Sequence, residues 1–215
     1  MKDFTYSYPT HVYFGKGAMA NALKAELPAG AKKVLLAYGG GSIKKNGIYE
    51  EVTGLLQELG KEVVEFTGIM ANPTYAKVQE GAQIAKENAV DYILAVGGGS
   101  VIDAAKAIAL GAAEPEADLW DFWLGKRPVE RTLPVGAVLT ISAAGSETSS
   151  SAVLTRDDTL EKRGLTSERI RPRFAVMDPE LTCSLPPYQI ACGVVDIMMH
   201  TLDRYFTCVT GNLLT

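Results

Sequence analysis

The 215-residue sequence predicts an α/β fold built on a parallel sheet. Short β-rich runs alternate with helical stretches of about 10–15 residues, the pattern of strands joined by crossover helices. Two of those strands run directly into triple glycines, Gly39 to Gly41 and Gly97 to Gly99. Apolar residues make up 47% of the chain, enough for a sheet covered on both faces, and no low-complexity tract argues for disorder.

In chain order, HVYFG reads as a strand and KGAMANALKAEL as a helix. KVLLAY is a buried strand, and GIYEEVTGLLQELG has helical spacing with Gly60 suited to its end. KEVVEF, YILAV and VGAVLTI read as further strands, separated by the helices TYAKVQEGAQIAKENA and SVIDAAKAIALGAA. After Leu133 the pattern changes to short strands and turns: AVLT, EKRGLTS and RFAVMD. Trp120 and Trp123 are expected to anchor a loop by packing. DPELTCSLPP closes the region, which places a domain boundary near Ser184. Pro187 then suits the first turn of a helix, YQIACGVVDIMMHTLDRYFT, because its missing N–H does no harm there. The chain stops at TGNLLT when this helical pattern has only begun, so it reads as C-terminally truncated.

Composition excludes several classes. A net charge of -4 with lysines and arginines dispersed argues against a nucleic-acid partner. No run of about 18 apolar residues suggests a membrane span, and the first residues lack a signal-peptide core. Cys183, Cys192 and Cys208 are too few and too scattered for a disulfide framework, which makes a reduced, cytoplasmic protein the expectation.

The glycines raise the main functional question. If one strand ends at Val96 and a helix begins near Val101, Gly97 to Ser100 form the turn. Backbone N–H groups at a helix start are unpaired and carry partial positive charge, and bare glycines let a pyrophosphate approach them. Ser100-Val101-Ile102-Asp103 also reads as a capping box, which needs only one glycine. The spacing is not G-x-G-x-x-G, so the ordinary dinucleotide fingerprint is absent. The earlier turn is followed by Ser42, Lys44 and Lys45, with no acidic residue between Lys33 and Tyr49. An acidic residue there would favour NAD, whereas Ser42 and the lysines suit a 2′-phosphate. A glycine loop with solvated lysines is the alternative.

Asp196 and His200 are four residues apart and share a helix face. A carboxylate beside an imidazole suits Zn²⁺ or Fe²⁺, although such a pair alone also serves to stabilise a helix. Asp196 lies among Val194, Val195 and Ile197, where an unpaired charge is costly if buried. The other histidine, His11, falls in the first strand, with a packing or edge role. Cys192 reads as a small buried apolar side chain, with a thiolate ligand as the alternative.

FGKGA, NPTY from Asn72, GGGSVIDAAK, TISAAGSE from Thr140, DPELT, LPP and D-x3-H occur in one order along the whole chain. Together they resemble the iron-containing, or group III, alcohol dehydrogenases. YGGGSIKKNG and the segment from Pro186 look most like the NADPH-using butanol dehydrogenase and aldehyde reductase branch. Members of such a two-domain family run to roughly twice this length. The resemblance implies a dehydroquinate synthase-like architecture. Residues 1–184 would form the dinucleotide-binding domain, and 185–215 the first helix of an all-α metal-binding domain. It places Gly97, Gly98, Gly99, Ser100 and Asp103 at the pyrophosphate, and Gly40, Ser42 and Lys45 around the 2′-phosphate. Asn72, Thr140, Ser142, Ser146 and Ser149 would line the adenine and nicotinamide cleft, with Lys162 near its nicotinamide end. Asp196 and His200 would be the first two metal ligands, the others being histidines beyond Thr215. Ala144 stands where the family often has threonine, and Ser149 where the branch often has asparagine.

The expected activity is hydride transfer between NADP(H) and a small aldehyde or primary alcohol such as butanal or butanol. One Fe²⁺ or Zn²⁺ would polarise the carbonyl oxygen, and no side chain in the sequence stands out as the catalytic acid. Apolar residues around Asp196 point to an alkyl aldehyde. The alternatives are a dehydroquinate-synthase-like or glycerol-phosphate dehydrogenase-like enzyme, which needs a basic cluster near the metal, and a non-catalytic dinucleotide-binding fragment. A homodimer is expected of the full-length chain.

Overall fold

The computed structural model describes residues 7–206. Strand β1 (His11–Phe14) leads into helix α1 (Ala18–Glu26), then β2 (Lys33–Tyr38), the short α2 (Ser42–Lys45) and α3 (Ile48–Glu58). β3 (Glu62–Phe66), α4 (Tyr75–Glu87), β4 (Tyr92–Gly97) and α5 (Gly99–Ala113) follow. The remainder is α6 (Leu119–Trp123), β5 (Val135–Leu139), β6 (Ser151–Thr155), β7 (Lys162–Thr166), β8 (Phe174–Met177) and α7 (Pro187–Tyr205).

Six strands form one sheet in the order β1-β8-β5-β4-β2-β3, with every pair parallel. Its central strands are buried almost end to end, as a sheet covered on both faces requires. Alternation divides their side chains between two cores. Leu35, Ala37, Ile93, Ala95 and Ala137 pack with α4 and α5, while Leu36, Tyr38, Leu94, Val96 and Val138 pack with α1 and α3. Helix α5 is apolar on nearly all sides and correspondingly buried. It approaches α4 closely because Gly81 and Gly111 lack side chains: a Cβ on Gly111 would lie 2.9 Å from Ala82 Cβ.

The change of pattern after Leu133 is not a change of sheet. β5 and β8 join the main parallel sheet, and only β6 and β7 form a separate antiparallel hairpin. Two short helices, α2 and α6, escaped the periodic reading because neither is long enough to show a period. Trp120 and Trp123 are buried as expected of packing anchors, but on α6 rather than a loop. His11 lies on the edge strand with Nδ1 2.7 Å from Glu26 Oε1.

Backbone contacts divide the chain into two units, one spanning Thr10–Cys183 and the other running from Ser184 and including the segment before Thr10. In the second, Pro187 occupies the first turn of α7, and no residue of this helix is buried. Cys192 is exposed, which corrects the expectation of a buried small side chain. Cys208 and the stretch TGNLLT lie outside the described residues.

Candidate functional site

The chain leaves β2 outward to β3, then returns to β4 on the other side of β2 and continues to β5. The carboxyl ends of β2 and β4 therefore flank the point where strand order reverses, the usual place for a ligand crevice in an open α/β sheet. Both glycine turns open there. Tyr38 pairs with Val96, so Gly39 and Gly97 leave the sheet side by side. Thr140 continues β5 next to them, its N–H donating to the Gly97 carbonyl at 3.1 Å.

The second turn is tighter than expected. β4 extends through Gly97, and α5 starts at Gly99 with Gly98 as its cap residue and no side-chain cap. The Ser100–Asp103 capping box does not form, because both residues already lie inside the helix. The Asp103 carboxylate instead accepts from Ser146 Oγ at 2.5 Å and from the Val153 N–H at 2.9 Å. The uncapped amides at the α5 start are thus left without a side-chain acceptor, a donor set that suits an anion. The glycines also serve the protein itself. A Cβ at Gly97 would meet Val101 Cγ2 at 2.6 Å, one at Gly98 would collide with Ile141 Cγ2, and one at Gly99 would touch Ala144 Cβ at 3.0 Å.

Asn72 follows β3 in a left-handed conformation, φ 54°, which asparagine tolerates better than most residues. Its N–H donates to Ser100 Oγ at 3.3 Å, and its side-chain oxygen accepts from Lys162 Nζ at 2.7 Å. Three residues expected at the cofactor, from a loop, a helix start and the hairpin, are therefore brought together. Ser142 is exposed in the loop after β5.

Sequence reasoning missed Lys106. It is wholly buried in α5, and its ammonium donates to Ser146 Oγ, Ser149 O and Ser151 O at 2.8, 3.0 and 2.7 Å. Three donors meet three acceptors, with Asp103 3.9 Å away. Burial pulls the Lys106 ammonium down to about 8, against the opposing pull of Asp103 and Glu147. Ser146 and Ser149, both expected at the cofactor, are thus bound into a network that fastens the loop between β5 and β6 to α5. The signal in the sequence was a lone lysine in DAAKAIALGAA.

A second missed cluster adjoins the first turn. Tyr38 and Tyr49 donate hydroxyl hydrogen bonds of 2.5 Å to Glu65 Oε2 and Oε1 respectively. Those bonds, Tyr38's first, hold the Glu65 carboxyl below the usual range. Lys44 donates to the same carboxylate at 3.3 Å, so of the two lysines expected near a 2′-phosphate one is already paired. Ser42 and Lys45 are exposed.

On α7, His200 Nε2 lies 3.7 Å from Asp196 Oδ1. Both side chains are more than half exposed, so Asp196 is not buried among its valine and isoleucine neighbours as its sequence context suggested. Among the described residues no group of three or more His, Cys, Asp or Glu is placed to hold a metal ion.

Residues 9–179 match the family model described as iron-containing alcohol dehydrogenase. The chain belongs to the iron-containing alcohol dehydrogenase family. Among relatives in that family, the probable NADH-dependent butanol dehydrogenase 2 of Bacillus subtilis is 46% identical over 96% of this chain and 52% of its own length. The NADPH-dependent aldehyde reductase YqhD of Escherichia coli is 43% identical over 96% and 53%. The crystal structure of NADH-dependent butanol dehydrogenase A from Thermotoga maritima superposes with a TM-score of 0.90 at 44% identity, covering 96% of this chain and 52% of that one. The chain spans about half the length of these family members.

Proposed function

We propose that the whole protein transfers a hydride between NADP(H) and a small primary alcohol or aldehyde such as butanol or butanal, using one Fe²⁺ or Zn²⁺. The observation that carries this reading is the pair of glycine turns opening side by side at the switch point, one leading into an uncapped 15-residue helix. Residues 1–184 would be the dinucleotide-binding domain and residues 185–215 the start of the metal-binding domain.

In this reading the backbone of Gly97, Gly98, Gly99 and Ser100 receives the pyrophosphate. Gly40, Ser42 and Lys45 surround the adenosine ribose, and the cation of Lys45 with the lack of a carboxylate on that turn supports NADP(H) over NAD(H). Asn72, Thr140 and Ser142 line the cleft, and Lys162, held by Asn72, stands at its nicotinamide end. Asp103, Ser146 and Ser149 act from behind, as positioning residues. Asp196 and His200 supply an oxygen and a nitrogen donor, a set that fits Fe²⁺ or Zn²⁺, with further ligands required from elsewhere. A bound metal would act as a Lewis acid on the substrate oxygen. The preference for an uncharged aldehyde rests on the relatives' named activities, since Asp196 is not enclosed by apolar side chains here.

Butanal-dependent oxidation of NADPH and NADH by the purified whole protein tests the reading. Turnover should favour NADPH, vanish on metal removal and return with Fe²⁺ or Zn²⁺, while Asp196→Ala should lower bound metal on direct analysis. Metal-independent turnover would overturn the metal assignment, and equal kcat/KM for the two cofactors would overturn the NADP(H) preference.

A further inference from the structure

The cluster beside the first glycine turn contains a cation that the cofactor reading leaves unused. Lys44 sits two residues past Ser42, yet its Nζ pairs with Glu65 at 3.3 Å and lies 4.3 Å from the Tyr49 ring centroid and 5.4 Å from that of Tyr38. The carboxylate that holds it is itself fixed, because Tyr38 and Tyr49 donate to its two oxygens. Tyr38 is 1% exposed, so one end of this arrangement is anchored in the core. A lysine that is paired and resting over two aromatic rings must give up both interactions to meet a phosphate.

We propose that Glu65 is a specificity-determining residue: by tethering Lys44 to the Tyr38–Tyr49 pair, it weakens the site's preference for a 2′-phosphate and keeps NAD(H) admissible. This rests on the reading that the Gly39–Ser42 turn receives the adenosine end of a dinucleotide. The two cofactors differ there by a charged phosphate against a neutral hydroxyl, so a freed cation acts on NADPH and leaves NADH nearly untouched. Glu65 lies on β3, outside the glycine turn, which is why inspection of that turn alone finds no acidic residue.

The test is fluorescence titration of the whole protein with NADPH and with NADH, comparing the ratio of their dissociation constants. Glu65→Gln should raise the preference for NADPH about fivefold at low salt, the scale of an exposed ion pair made available, and less at high salt. Lys44→Met should change the ratio by less than about twofold in the native background but abolish the gain in the Glu65→Gln background. Both side chains are roughly half exposed, at 41% and 46%, and Gln keeps one of the two oxygens that accept from Tyr38 and Tyr49, so thermal unfolding of each variant accompanies the titrations. A ratio unmoved by Glu65→Gln overturns the inference, as does an equal loss from Lys44→Met in both backgrounds. If the native protein binds neither dinucleotide, the cofactor reading falls and this inference with it. If it binds both with a ratio indifferent to Glu65, only this inference falls.

Discussion

Gly97, Gly98 and Gly99 stand in a packed wall, whereas Gly40 and Gly41 stand in open space. Around the second turn a side chain from α5, Ile141 and Ala144 occupy the volume any Cβ would need. Around the first, no atom lies within 4 Å of a Cβ built on Gly40 or Gly41. The α5 turn is backed by Lys106 and its three acceptors, and the first turn is bordered by half-exposed Lys44 and Glu65. Identical composition thus arises from two causes. The α5 run is required by the protein's own packing. In the first run a Cβ on Gly39 would lie 3.2 Å from Ile69 O and Gly41 holds φ 95°, so Gly40 is the glycine whose room only something outside the chain could use.

The sharpest way to break this contrast is at Lys106. Lys106→Met removes the partner of one buried and two part-buried acceptors and takes away the cation 3.9 Å from the Asp103 carboxylate. The expected loss is about 3–5 kcal/mol of stability, the range for breaking a buried ionic network. Denaturant unfolding of the whole protein measures it. A loss below about 1 kcal/mol would mean that the loop between β5 and β6 holds to α5 without the ammonium.

Gly98→Ala is the next test. The new methyl would overlap Ile141 Cγ2, a short β-branched side chain with little room to give, so about 1–3 kcal/mol of overpacking is expected. Combining it with Ile141→Ala should recover part of that cost, because the colliding atom is gone. No recovery would show that the backbone at Gly98 and not its neighbour sets the limit.

These two residues also show what the sequence could reveal. The strands were legible because a parallel strand buried on both faces is a continuous apolar run, as KVLLAY and YILAV are. Both glycine turns were legible as breaks at strand ends. The start of α5 was misread because Ser100 and Asp103 have the spacing of a capping box, and only the backbone shows that the helix begins before them. The partners of Lys106 lie 40 to 45 residues away, beyond any local pattern. The Tyr38–Glu65–Tyr49 cluster also joins separate elements, and its carboxylate sits outside the turn whose charge it modifies. On α7 the apolar neighbours of Asp196 suggested burial, but hydrophobic neighbours in sequence do not enclose a residue on an exposed helix.

A smaller effect follows from the Lys106 titration. Its ordinary value is 10.5 in the unfolded chain, and burial lowers it to about 8 in the folded one. Between those values the unfolded state binds more protons, so stability should rise with pH, by about 1–2 kcal/mol from pH 8 to 9.5. The slope should be absent from Lys106→Met, which has no proton to lose there. An equal slope in both proteins would assign it to other groups.

The smallest change in stability is expected at Gly40, and it separates the two turns most cleanly. Gly40 is exposed, has no positive φ, and offers a new methyl nothing to strike. Alanine there restricts the unfolded chain more than the folded one, so Gly40→Ala should be neutral or stabilising by about 0.4–1 kcal/mol. Packing therefore gives no reason for glycine at this position. If the turn receives the adenosine ribose of a dinucleotide, the methyl occupies the approach path, and affinity should fall several-fold while the melting temperature holds. Titration of the native and Gly40→Ala proteins with NADPH, beside thermal unfolding of each, reads both quantities. Undiminished affinity would mean that the bare backbone at Gly40 is not contacted and that the ligand enters only along the α5 turn. Lost stability would mean that Gly40, like Gly98, serves the fold, and the contrast between the turns would fail.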